Sequence, residues 1–293
     1  MSYIRTLARK NLLNVPKHVV SGIQYETIVG SVAYGVNNDN SDTDIYGFSI
    51  PYKDMIFPHL RGEIGGFGTP YERFEQYQEH HVKDQEKEYD ITIFSIVKFM
   101  HFCMKNNPNF IDTLFTPRRC ILYTTRVGEL VREKRYLFLH KGAWHAFKGY
   151  AYNQMHKMEI KNPEPGSNRA LLIEKYGYDI DFAYHVVRLL NEVEQILIEG
   201  DLDIERNREQ LKSIRRGEWK EEDIKNYFAT KEKDLEKVYL NSKLPYGPNE
   251  KLIKQLLIDC LELHFGSLER AIEKPRDVDD LVNDLRHLIG RYE

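Results

Sequence analysis

Apolar and polar positions alternate in the first third of the chain and then give way to helical spacing. Tyr25-Glu26-Thr27-Ile28-Val29 is β-branched and aromatic, stops at Gly30 and reads as a strand, as does Ile45-Tyr46-Gly47-Phe48-Ser49-Ile50 before Pro51. Between them lies a cluster of turn formers, Val36-Asn37-Asn38-Asp39-Asn40-Ser41. Lys87 to Ile93 alternates with period two, which puts Glu88, Asp90 and Thr92 on one face of a third strand. The glycine-rich stretch from Gly62 to Pro70 reads as a connection or hairpin tip. After Ser95 the period changes: Ile96, Phe99, Met100 and Cys103 recur at helical spacing until Asn106-Asn107-Pro108-Asn109 ends the helix. From about Thr116 the pattern is helical over Val127 to Arg135, Lys141 to Ile160, Asp179 to Glu199, Glu221 to Leu240, Asn249 to Ile272 and Val278 to Arg291. A boundary near residue 118 follows, with a mixed α+β unit over 1–118 and an all-helical unit over 119–293.

With 41% hydrophobic and 30% charged residues in a chain of 293, the composition is that of a water-soluble globular protein able to bury a substantial core. No apolar run is long enough to cross a bilayer and Met1-Ser2-Tyr3-Ile4-Arg5 has no secretory character, so no membrane partner and a cytoplasmic location are expected. Cys103, Cys120 and Cys260 are too far apart for a zinc site and read as ordinary thiols. A net charge of −3 advertises no global field for nucleic acid. The acidic excess falls within residues 1 to 115, where Glu72, Glu75 and Glu79 read as a solvated face.

Charge matters more at one short motif. In Asp42-Thr43-Asp44 two carboxylates on a strand point to the same side and can share divalent cations. Alone the motif proves little, because Asp179/Asp181, Asp201/Asp203 and Asp277/Asp279 repeat its spacing. Its context is different. A strand ends upstream at Gly30-Ser31, and a turn opens there whose amides, unobstructed at Gly30 and helped by the Ser31 hydroxyl, could hold a triphosphate. Asp90 supplies a third carboxylate from its own strand, with Glu88 on the same face as the alternative. Three carboxylates of this kind suit two magnesium ions that bind a nucleoside triphosphate, acidify an acceptor hydroxyl and neutralise the departing pyrophosphate.

Gly30-Ser31-Val32-Ala33-Tyr34-Gly35 followed by Ser41-Asp42-Thr43-Asp44 resembles the glycine-serine and paired-aspartate signature of DNA polymerase β-type nucleotidyltransferases. More narrowly the chain is similar to the RlaP group, associated with RNA repair. Asp90-Ile91-Thr92 through Lys98-Phe99, Asn107-Pro108-Asn109 to Leu114-Phe115, and His185 to Leu190 with Ile214-Arg215-Arg216-Gly217-Glu218 carry that narrower likeness, over roughly residues 25 to 220. The resemblance implies a mixed β-sheet flanked by helices, magnesium, and a nucleoside triphosphate, with ATP as the expected donor. Residues 1–118 would then be the catalytic domain and 119–293 a helical domain that selects the acceptor.

Two helical stripes extend the candidate site. The helix from Asp179 to Glu199 is apolar around most of its girth and keeps a narrow stripe of Asp181, His185, Arg188, Glu192 and Gln195. His185 and Arg188 could meet a phosphate or base, or Arg188 could pair with Asp181 or Glu192 on its own helix. A second stripe, Lys141, His145, Lys148 and Tyr152, interleaves cations and aromatics as nucleotide or RNA contacts do, or forms a solvated face. His80-His81 reads as a surface pair on a loop. The site expected from sequence is therefore Asp42, Asp44 and Asp90 for metal and catalysis, with Gly30, Ser31, Tyr34, Ser41, Lys148, Tyr152, His185 and Arg188 for the nucleotide. The acceptor expected first is an RNA or tRNA 3′ end. Nucleotidylation of a protein or small molecule, and a non-catalytic nucleotide-binding module, are the alternatives.

Overall fold

The computed structural model describes residues 2–37, 43–57, 60, 73–85, 87–160 and 163–266. Five strands form one mixed sheet in the order β3-β4-β2-β1-β5. They are β1 (Ile23–Ile28), β2 (Thr43–Ser49), β3 (Gln76–Asp84), β4 (Lys87–Ser95) and β5 (Ile121–Thr124). Only β2 and β4 are parallel; the other neighbours run antiparallel. The period-two alternation of these strands sorts their side chains onto two faces.

One face, carrying Ile23, Ile45, Ile91 and Ile93, is covered by α1 (Tyr3–Arg9) and α2 (Lys17–Gly22) through Ile4, Leu7 and Val19. Buried Glu26 fastens α1 there, because its carboxylate accepts from Ser2 Oγ at 2.5 Å, Tyr3 N at 2.6 Å and Ile4 N at 3.2 Å. The opposite face, carrying Tyr25, Phe48 and Phe94, meets α4 (Ile96–Met104) and α5 (Pro108–Phe115). α4 starts after Ser95, where helical spacing begins, while α5 follows directly on the Asn107-Pro108 stretch that the sequence offered only as the end of the preceding helix. Ser95 accepts from Lys98 N, and Asn107 caps α5 with Pro108 in its first turn. The core continues from Phe99, Phe110 and Leu114 into Trp144 and Phe147 of α7 (Ala143–Glu159) and Val187 and Leu190 of α9 (Ile180–Glu199). α6 (Arg126–Glu133) locks this junction: buried Arg132 donates to Tyr25 Oη at 2.8 Å, Leu114 O at 3.1 Å and Thr116 O at 2.9 Å.

Between β2 and β3 lies the single turn α3 (Lys53–Ile56), and α8 (Asn168–Tyr176), α10 (Arg208–Arg215), α11 (Glu221–Asn241) and α12 (Glu250–Phe265) complete a helical C-terminal region. The α+β class expected from sequence is what forms, with additions. β3 and β5 carry no clean alternation: β3 is interrupted by a bulge between Glu79 and Val82, and β5 is only four residues long. Position 118 is followed by a short turn and then β5, so the chain returns to the sheet once more before becoming helical. The expected tip at 62–70 and helix at 278–291 lie outside the described residues. No helix among the described residues is long and apolar enough to cross a membrane.

Gly47 fixes how closely β1 and β2 approach, since a Cβ there would sit 2.1 Å from Tyr25 O. Gly47→Ala is therefore expected to lower the unfolding free energy by about 1–3 kcal/mol, measured by urea denaturation.

Candidate active site

Asp44 stands at the start of β2, and parallel pairing sets it opposite Asp90 of β4 as direct Cα partners. Both alternate with residues of the α1–α2 face, so both project toward the side occupied by Phe48, Phe94 and the C-terminal helices. Asp42 and Ser41 lie outside the described residues. The Gly30–Val32 3-10 turn closes against Asp44, with Val29 N donating to Asp44 O at 2.9 Å. Gly30 adopts φ +69°, and a Cβ on it would fall 2.6 Å from Asp44 Oδ2. The missing side chain thus leaves a cradle beside the carboxylate. Hard oxygen donors on neighbouring strands with that space beside them suit a divalent cation such as magnesium. Among the described residues no set of three His, Cys, Asp or Glu side chains is arranged to hold a metal, as expected when one member of the predicted trio, Asp42, is outside them.

Asp90 has partners that the sequence did not announce. His81 N donates to its Oδ1 at 2.9 Å and His80 Nδ1 lies 3.1 Å from its Oδ2. Burial alone would raise its carboxyl pKa, but these hydrogen bonds outweigh it and hold the group below its ordinary value. The alternative carboxylate, Glu88, meets His81 Nδ1 at 2.5 Å and, more distantly, Lys83. The histidine pair belongs to strand β3 and not to a loop.

Beneath the turn lies a buried polar network. Tyr34 Oη donates to Asp112 Oδ2 at 2.6 Å, and the Arg188 guanidinium sits 4.5 Å from the Tyr34 ring centre. Arg188 Nη1 bonds Asp112 at 2.5 Å and Glu192 at 2.8 Å. Of the two pairings expected for Arg188, the one with Glu192 forms, while Asp181 binds Arg215 at 3.4 Å. Asp112 is the unforeseen member, a single carboxylate within α5, which is buried at every position but Asn109, and its isolation there was the available signal. One guanidinium faces two carboxyls, and all three groups are buried. Burial, reinforced by Asp112 and opposed by Arg188, lifts Glu192 to about 8, and Asp112 also moves up.

His185 is partly buried against Tyr184, with ring centres 4.1 Å apart. Burial first, then Arg188, Arg215 and Lys157, push its pKa well down, so it is neutral. Arg215 Nη1 donates to Val36 O at 2.7 Å, and Arg119 Nη2 donates to Val32 O at 3.1 Å and Ala33 O at 3.2 Å while bonding Glu205 at 2.8 Å. These two arginines hold the carbonyl side of the turn. Lys148 and Tyr152 face elsewhere: Lys148 bonds Glu232 at 2.8 Å and Glu236 at 3.0 Å, and Tyr152 Oη donates to Glu232 at 2.6 Å, joining α7 to α11.

The model of the RlaP family, described as an RNA repair pathway DNA polymerase beta family, matches residues 4–246. The chain belongs to this family. Among solved structures, a nucleotidyltransferase-like protein from Exiguobacterium sibiricum 255-15 aligns at 9% identity over 98% of this chain and 87% of its own, with a TM-score of 0.29. A search of curated proteins finds no match.

For this RlaP-family chain the structure gathers Gly30, Ser31, Tyr34, Asp44, Asp90 and Arg188 about one end of the sheet, with His185 beside Arg188. Lys148 and Tyr152 join a different contact. Arg119, Arg215, Asp112 and the histidine pair are the additions.

Two outcomes follow from this geometry. Gly30→Ala combines a left-handed φ with a Cβ driven into Asp44, so manganese affinity measured by calorimetry is expected to fall about tenfold while the far-ultraviolet dichroism is retained. The second concerns pH. Glu192 titrates higher in the folded chain than its ordinary 4.5, so its stabilising contribution is complete below that value and is lost as pH rises through about 8. The urea midpoint should decline across that window, and Glu192→Gln should flatten the decline; an unchanged wild-type midpoint would exclude the raised titration of Glu192.

Proposed function

We propose that this chain transfers a nucleoside monophosphate from a nucleoside triphosphate, preferentially ATP, to a terminal hydroxyl of RNA such as a tRNA 3′ end. The acceptor oxygen bonds to the α-phosphorus, the α–β anhydride bond breaks, and pyrophosphate leaves. The observation that carries this reading is the pairing of Asp44 with Asp90 across parallel strands, beside the space left by Gly30. Membership of an RNA repair pathway family supports a polynucleotide acceptor.

Asp44 and Asp90, with Asp42 from the same motif, would hold magnesium. When bound, the ions neutralise phosphate charge and make the acceptor hydroxyl easier to deprotonate. The protein contributes the rest. Asp90, kept below its ordinary pKa, stays ionised at neutral pH and remains an oxygen donor. Gly30 and Ser31 offer backbone that phosphates can approach closely, because no side chain stands at position 30. Tyr34 and Arg188 support that turn from below, through Asp112. Neutral His185 can donate or accept a hydrogen bond without adding charge, while Arg215 and Lys157 supply the positive field around it.

The test is incubation of the full chain with magnesium, each α-labelled triphosphate and total RNA. Label entering RNA and pyrophosphate release are both expected, and Asp44→Asn should lower the rate by at least about a thousandfold. Label appearing only in protein or a small molecule would replace the acceptor, and absence of pyrophosphate release with every acceptor would leave a nucleotide-binding module.

A further inference from the structure

The bulge in β3 faces one residue. Glu79 pairs with Ile91 and Val82 with Tyr89, so His80 and His81 together stand opposite Asp90 alone. A regular ladder would set one residue there. The extra residue costs His81 a left-handed backbone, φ +57°, which residues with a side chain rarely adopt. What the distortion gains is a second donor, since both carboxylate oxygens of Asp90 are now engaged, Oδ1 by the His81 amide and Oδ2 by the His80 ring.

The hydrogen-bond chain extends outward along the same strand. Gln78 Nε2 lies 2.7 Å from His80 Nε2, and Gln76 Nε2 donates to Gln78 Oε1 at 3.5 Å. An amide nitrogen can only donate, so His80 Nε2 is the acceptor and the ring proton sits on Nδ1, aimed at Asp90. Resting on the function proposed above, in which Asp90 binds a divalent cation, we propose that Gln78 and His80 are positioning residues. They fix the plane of the Asp90 carboxylate and leave one lone pair on each oxygen for the ion. The relay works without moving: each oxygen accepts one bond from β3 and keeps its other acceptor site.

The experiment is calorimetric titration of manganese into the full chain without nucleotide, with Asp90→Asn as the reference. His80→Ala should weaken binding roughly tenfold to a hundredfold, the usual effect of removing a partner behind a metal ligand. His80→Asn sets an amide donor where Nδ1 stood and should recover affinity to within about threefold, whereas His80→Gln reaches toward the Nε2 position and should not. Gln78→Leu, which cannot donate, should weaken binding about threefold. His80→Ala binding like wild type while Asp90→Asn loses manganese would overturn the relay alone. An Asn variant as weak as the Ala variant would do the same, since rescue depends on the donor at Nδ1. Asp90→Asn binding as tightly as wild type would instead remove Asp90 from the ion and overturn the function on which the relay rests.

Discussion

Two strands that run parallel must be brought into register by everything between them, and among the described residues β2 and β4 are the only such pair. Their alignment makes Asp44 and Asp90 direct partners, and alternation then sends both to the same side as Phe48 and Phe94. A slip of one residue would turn one carboxylate into the α1–α2 core, where a charge without a partner costs several kcal/mol. The apolar residues on either side, Ile45 and Ile91 below, Phe48 and Phe94 above, enforce that register through burial. Packing and chemistry are therefore one constraint, seen from opposite faces of the sheet.

Around this pair the chain uses hydrogen bonds to backbone more than charge on charge. Val29 N reaches Asp44 O, His81 N reaches Asp90, and Arg119 and Arg215 reach the carbonyls of residues 32, 33 and 36. Such contacts fix where the main chain runs. The Arg188 network beneath is different in kind. It is buried and rich in carboxyl groups, and it supports Tyr34 and the turn above it.

Much of this was legible in the sequence because it depends on short-range pattern. The alternation in Lys87 to Ile93, the glycine at the end of β1 and the Asn107-Pro108 cap each specify local geometry by themselves. The paired-aspartate motif owed its meaning to Gly30-Ser31 before it and Asp90 after it. What the sequence hid were contacts across long separations. Asp112 meets Arg188 and Tyr34 from another helix, Arg119 and Arg215 reach backbone carbonyls that carry no residue identity, and His80 faces Asp90 only because a bulge changes the phase of β3. Lys148 and Tyr152 showed the converse: interleaved charge and aromaticity at helical spacing served a helix–helix seam, where Glu232 and Glu236 met them.

The two arginines on the turn carry a consequence for how the chain can be divided. Arg119 follows the last residue of α5 by only a few positions, yet Arg215 is the last residue of α10. A fragment cut at residue 118 would retain Gly30, Asp44 and Asp90 and lose both guanidinium grips, together with Arg188 under Tyr34. The turn at Gly30–Val32 would then keep the Tyr34–Asp112 bond beneath it but no guanidinium on its carbonyls. The gene can be shortened at that point; the working surface cannot.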